Sequence, residues 1–221
     1  FKKINIGKNI KIATNNYVKF NINNDKKIIE LEQIDWRGRA LIFDSILDNW
    51  KIIFNKKNPP KDKTAIISDF QNYTGCLTII DTLIIDIEVH TNHLVCEDSI
   101  NFIRSSGTVK KIYIEDSFSD GLDADFSELK FNEVYVNISN NDCADFSFGK
   151  YKIQSAILKN CGDKALSVGE KSFLQLERME DGLKFDDRMD REVLEIFNLV
   201  MEFIEWNHSF IENEIQSMTE E

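Results

Sequence analysis

The sequence predicts an all-β parallel β-helix, a solenoid of 22-residue coils with an α-helix at its C-terminal end. Three observations carry this. Four strings start 22 residues apart: "CEDSINFIR" from Cys96, "FSDGLDADF" from Phe118, "NNDCADFSF" from Asn140 and "GDKALSVGE" from Gly162. Their columns alternate: Ile100, Leu122, Ala144 and Leu166 are apolar, Asn101, Asp123, Asp145 and Ser167 polar, and Phe102, Ala124, Phe146 and Val168 apolar again. A period of two inside a longer period means short strands stacked in register, one face in and one out. After Gln175 the register stops and helical spacing replaces it.

In chain order, residues 1–63 are expected to hold basic N-terminal strands and early coils, 64–175 the regular β-helix, and 176–221 an acidic segment with a helix at about 190–216. The stretch "WRGRALIFDSILDNWKIIF" at 36–54 reads as paired short strands in a looser register. "KKNPPKDK" at 56–63 reads as a loop, because its prolines cannot donate to a sheet ladder. "TGCLTII" joins the repeat at a spacing of 23, with Leu77 under Ile100 and Ile79 under Phe102. A second strand per coil follows from Ile112, Val134 and Ala156, with Ile114, Val136 and Leu158 beside them and Tyr113, Tyr135 and Ile157 facing away. Val109, Phe131 and Ile153 suggest a third segment. In the C-terminal segment, Val193, Ile196, Phe197, Val200, Phe203 and Ile204 follow a 3.6-residue period, and Asp190 is a candidate N-cap. Such a helix would close the open end of a solenoid. The chain starts at Phe1 rather than Met, which reads as a piece of a larger polypeptide.

The net charge of −11 is unevenly spread, with 14 basic and 7 acidic residues in 1–63 but 8 and 17 in 64–170. The acidic part argues against a nucleic-acid partner, since phosphates need a basic surface. No apolar run reaches the ~18 residues of a membrane span.

"SDGLDADF" at 119–126 is the densest candidate site. Asp120 belongs to a turn column with Asp98, Asp142 and Lys164, where aspartate can bond nearby backbone N–H groups. Asp123 and Asp125 take outward strand positions, and Asp145 stacks on Asp123 one coil later. Like charges opposed on neighbouring strands are destabilising. Either the side chains splay into water, or one holds a proton, or a cation sits between them. Asp123, Asp125 and Asp145 are thus the candidate metal ligands, with calcium the ion that oxygen ligands suit. No other cofactor is expected.

The strings "CEDSINFIRS", "SDGLDADFSEL", "NNDCADFSFGKYKI" and "NCGDKALSVGEKS" resemble a subgroup of right-handed parallel β-helix domains of the pectin-lyase-like class. Such domains occur in bacterial surface and envelope proteins, some beside kinase-like domains related to spore coat protein H. The resemblance covers about residues 36–172 and implies right-handed winding, a cell-surface or extracellular setting and polysaccharide as a partner. Enzymes of the broader class cleave or epimerise acidic polysaccharides with aspartates, calcium and a Lys or Arg base. By that resemblance Asp123, Asp125, Asp145 and Arg104 are catalytic candidates, although no complete motif of those enzymes is present. A non-catalytic binding or structural module is therefore the first expectation, and a polysaccharide lyase, epimerase or hydrolase the second.

Cys76, Cys96, Cys143 and Cys161 share no column in adjacent coils, which predicts reduced thiols. His90 and His93 are spaced for a shared metal but lack a third ligand nearby, so a surface loop is expected.

Overall fold

The computed structural model describes residues 1–57, 73–169 and 171–181. The helix expected at 190–216, and residues 58–63 of the expected loop, lie outside them. The described residues form an all-β solenoid of about six turns.

The chain opens with β1 (Lys2–Ile6), β2 (Ile10–Thr14), β3 (Val18–Asn23) and β4 (Ile28–Gln33). These are two antiparallel hairpins. From β5 (Ala40–Phe43), β6 (Ile46–Asp48) and β7 (Lys51–Asn55) onward, each strand pairs in parallel with one a turn later. Next come β8 (Gly75–Ile80), β9 (Leu83–Asn92), β10 (Asp98–Ile103), β11 (Ser106–Ile114), β12 (Asp120–Asp125), β13 (Glu128–Val136), β14 (Ala144–Ser147) and β15 (Lys150–Leu158). β16 (Leu166–Val168), β17 (Phe173–Leu176) and β18 (Met179–Asp181) end the series. One sheet, A, runs β1-β2-β5-β8-β10-β12-β14-β16. The other, B, runs β17-β15-β13-β11-β9-β7-β4-β3, with β18 beside β15 and β6 beside β9. β2 is antiparallel to β5 and β1 to β2, so at the N-terminal end of sheet A one strand, β2, runs against the parallel stack and β1 reverses again outside it.

The register is the one the columns give. Leu77, Ile100, Leu122, Ala144 and Leu166 are successive partners in sheet A. Ile112, Val134 and Ala156 are partners in sheet B. The first four of the sheet A column have no solvent exposure, and Leu166, in the last strand of that sheet, is half-buried. Between the sheets, Phe102 meets Phe131 edge-on at 5.9 Å, and Phe131 meets Phe146 at 5.8 Å.

Two sequence readings change. The expected third segment is not separate, because Val109, Phe131 and Ile153 continue into one nine-residue strand in β11, β13 and β15. This strand is split in the early turn, where Asn49 adopts a positive φ of 54° between β6 and β7, and again in the last, where β17 and β18 both pair with β15. The spacing of 23 also has a location. Leu94 pairs with Ser117, 23 residues on, whereas Asp98 pairs with Asp120, 22 on. The extra residue therefore sits in the corner Val95–Glu97.

That corner carries the larger correction. The cysteines are not thiols: Cys76 is bonded to Cys96 and Cys143 to Cys161, with Cα–Cα distances of 5.5 and 5.3 Å. Column reasoning holds for strands but not for corners. The segment before each strand turns inward, so a cysteine a few residues upstream of the strand reaches the one at the start of the preceding turn's strand. Gln33 braces the first bridge, its Nε2 lying 3.2 Å from Cys76 Sγ and its Oε1 accepting the Val95 N–H at 3.0 Å.

Candidate functional site

The candidate carboxylates lie on the outer face of sheet A. Leu122 and Ala124 point inward, which turns Asp123 and Asp125 outward. Asp123 pairs with Asn101 in the previous turn and Asp145 in the next. Asp98 pairs with Asp120 at the strand start. The structure thus brings Asp123, Asp125 and Asp145 together, as the sequence places them.

This face is not the solvated surface that outward aspartates suggest. Asn101 is 2 % exposed and Asp98 4 %, while Asp120, Asp123, Asp125 and Asp145 are half-buried. Asn101 Nδ2 donates to Asp123 Oδ2 at 2.7 Å and lies 3.3 Å from Asp98 Oδ2 and 3.4 Å from Thr74 Oγ1. Asn101 Oδ1 and Asp145 Oδ1 are buried without a hydrogen-bond partner among the described residues.

Burial, and then the negative charge of Asp98, Asp125, Asp145 and Asp120, push the Asp123 carboxyl up to about 9. Burial raises Asp98 to about 7, with Asp120 and Glu97 adding to it against bonds from Thr74 and Asn101. Asp120 and Asp125 are raised too, chiefly by burial. Burial and mutual repulsion thus favour the protonated form of these carboxyls. Among the described residues, no three His, Cys, Asp or Glu side chains converge to hold a metal ion.

The turn column has a different role. Asp120 Oδ1 accepts the Asp142 N–H at 2.9 Å, and Asp142 Oδ1 accepts the Lys164 N–H at 2.9 Å. Each carboxylate holds the backbone of the next turn, so these aspartates are structural ties.

Arg104 does not join the cluster. It sits at the corner after β10 with φ 45°, and its guanidinium grips Asp81 through bonds of 2.8 and 2.9 Å. The same corner position is taken by Asp44, Asp81, Phe126 and Phe148, all with positive φ. Phe126 and Phe148 stack at 4.8 Å.

The histidines part as well. His90 is on the outer face of β9, its ring tilted against Tyr113 at 5.5 Å, and burial holds its pKa down. His93 is at the following corner with φ 58°, its Nδ1 2.8 Å from Asp116 Oδ2. Tyr113 in turn stacks on Tyr135 at 4.8 Å.

Sequence reasoning missed a ladder at the corner between the sheets. The Thr82 N–H bonds Ser105 Oγ at 3.3 Å, the Ser105 N–H bonds Ser127 Oγ at 3.1 Å, and the Ser127 N–H bonds the Tyr151 hydroxyl at 3.3 Å. A column of hydroxyl residues ending at Gly149 was its signal.

Compared with known proteins, the chain matches no family model, no curated protein and no solved structure.

Proposed function

We propose that this chain is a non-catalytic module, a right-handed parallel β-helix of the pectin-lyase-like class, carried by a larger bacterial surface or envelope protein and used for binding or spacing. The observation that carries the non-catalytic reading is the commitment of Arg104 to Asp81. Elimination or epimerisation on an acidic polysaccharide needs a Lys or Arg base within reach of the carboxylates, and hydrolysis needs two carboxyls open to the two sides of a bound sugar. Among the described residues, no lysine or arginine pairs with Asp98, Asp123, Asp125 or Asp145. The cluster itself is sunk between turns and internally bonded, which suits a structural part better than a substrate groove.

Two disulfides support a setting outside the reducing cytosol. Carbohydrate as the ligand class rests on the resemblance of the four quoted strings. A glycan array tests it: retention of polysaccharide by the wild-type chain is the expected result. An array with no bound glycan removes the ligand and leaves a spacer.

A further inference from the structure

The carboxyl cluster has a geometry that ordinary ion pairing cannot satisfy. β12 and β14 bring Asp123, Asp125 and Asp145 onto the outer face of sheet A, and Asp98 and Asp120, paired at the strand starts, lie close beside them. Glu97 borders the cluster at Asp98 and Asp142 borders it at Asp120. On the side of sheet B stands Tyr151, whose phenol burial keeps neutral. The nearby cations are engaged elsewhere: Arg104 with Asp81, and Lys164 with Asp142 and Asp163. Among the described residues the buried donor at the centre is the Asn101 amide, with carboxylate oxygens at 2.7 and 3.3 Å and the Thr74 hydroxyl, which also bonds Asp98, at 3.4 Å. Asp145 Oδ1 is buried with no donor to meet it among the described residues.

Stacked carboxylates without cations repel across the strand spacing. A shared proton removes one charge and creates one donor, which answers both the repulsion and the shortage of donors. We propose that the Asp98–Asn101–Asp123–Asp125–Asp145 cluster is a proton-held clasp that ties three successive turns of sheet A in acid and loosens in alkali. The inference concerns the folded chain alone and does not depend on any ligand.

The direction of the pH dependence follows from linkage. The folded cluster binds protons more tightly than the unfolded chain does, so folding stability falls as pH rises. The clasp is complete below about pH 4, where both states are protonated, and is lost as pH rises towards the values near 7 and 9 of Asp98 and Asp123. Carboxylates paired with lysine or arginine, such as Asp81 and Glu88, are lowered and give the opposite slope only at more acid pH.

The test is thermal unfolding of the intact chain across this range. The wild type is expected to melt several degrees lower at pH 9 than at pH 5. Asp123→Asn keeps the shape and cannot ionise, so it should flatten that slope and raise the melting temperature at pH 9. Glu128→Gln removes one exposed charge on sheet B and should keep the wild-type slope, which separates the clasp from general charge repulsion. If Asp123→Asn does not fold, Asp98→Asn should reduce the slope in its place. A wild-type slope that is flat, or that survives in the cluster variants, overturns the proposal. So does a calcium-induced rise in melting temperature at neutral pH that Asp123→Asn abolishes, because the cluster would then be a cation site.

Discussion

Tyr151 fills the space that Gly149 leaves: a Cβ on Gly149 would stand 2.3 Å from the Tyr151 hydroxyl oxygen. The turns before it place Ser45, Thr82, Ser105 and Ser127 at this corner. Where the column reaches glycine, the phenol hydroxyl takes over. It accepts the Ser127 N–H at 3.3 Å and lies 2.8 and 2.9 Å from the carbonyls of Ala124 and Ser147. Tyr151→Phe removes these bonds while keeping the ring. The expected loss is ~1–3 kcal/mol, because a buried donor is left unpaired. Denaturant unfolding checks it, and a smaller loss would mean that another group satisfies Ser127.

The disulfides give the next prediction. Thiol titration of the denatured chain, prepared in air without reductant, should find none of the four cysteines free. Breaking one bridge with Cys143→Ser and Cys161→Ser should cost ~2–4 kcal/mol. Free thiols before reduction would return the chain to the thiol reading that the columns suggest.

Gly107 marks the tightest approach between turns. Its φ is 120°, and a Cβ there would lie 1.9 Å from the carbonyl oxygen of Ile84. Gly107→Ala must therefore shift β11 away from β9 as well as adopt a strained backbone. We expect a loss above ~3 kcal/mol, more than backbone strain alone usually costs. A thermal melt close to the wild type would show that the two strands have room to separate.

The inward register is tested at Leu122, which has no solvent exposure. Leu122→Ala should cost ~2–5 kcal/mol through lost burial and a cavity. Leu122→Asp adds an unpaired charge in the core and should abolish cooperative unfolding. Arg104→Ala, by contrast, removes only the exposed contact with Asp81 and should leave the melting temperature nearly unmoved.

What the sequence made legible, and what it hid, divides between strands and corners. Ile100, Leu122 and Ala144 could be read because strand side chains alternate strictly and each turn repeats the alternation. Cys76 and Cys96 could not be paired, because the intervening corner bends out of the column geometry and holds the extra residue. Among the acidic candidates, Asp123 and Asp145 were visible as one column with Asp125 two residues along the strand, and their grouping follows from it. Their burial was not, since it depends on Asn101 and Asp98 packing beside them rather than on any pattern within "SDGLDADF". Arg104 was misread for a related reason. Sequence distance placed it near the cluster, but its positive φ turns the side chain around the corner to Asp81.

We propose that the carboxylates hold the fold together and perform no chemistry. Degradation of acidic polysaccharides by the purified chain, followed by product chain length with and without calcium, checks this. No shortening of any substrate is expected under either condition. Cleavage by the wild type that disappears in Asp123→Asn, with the variant still folded, would overturn it.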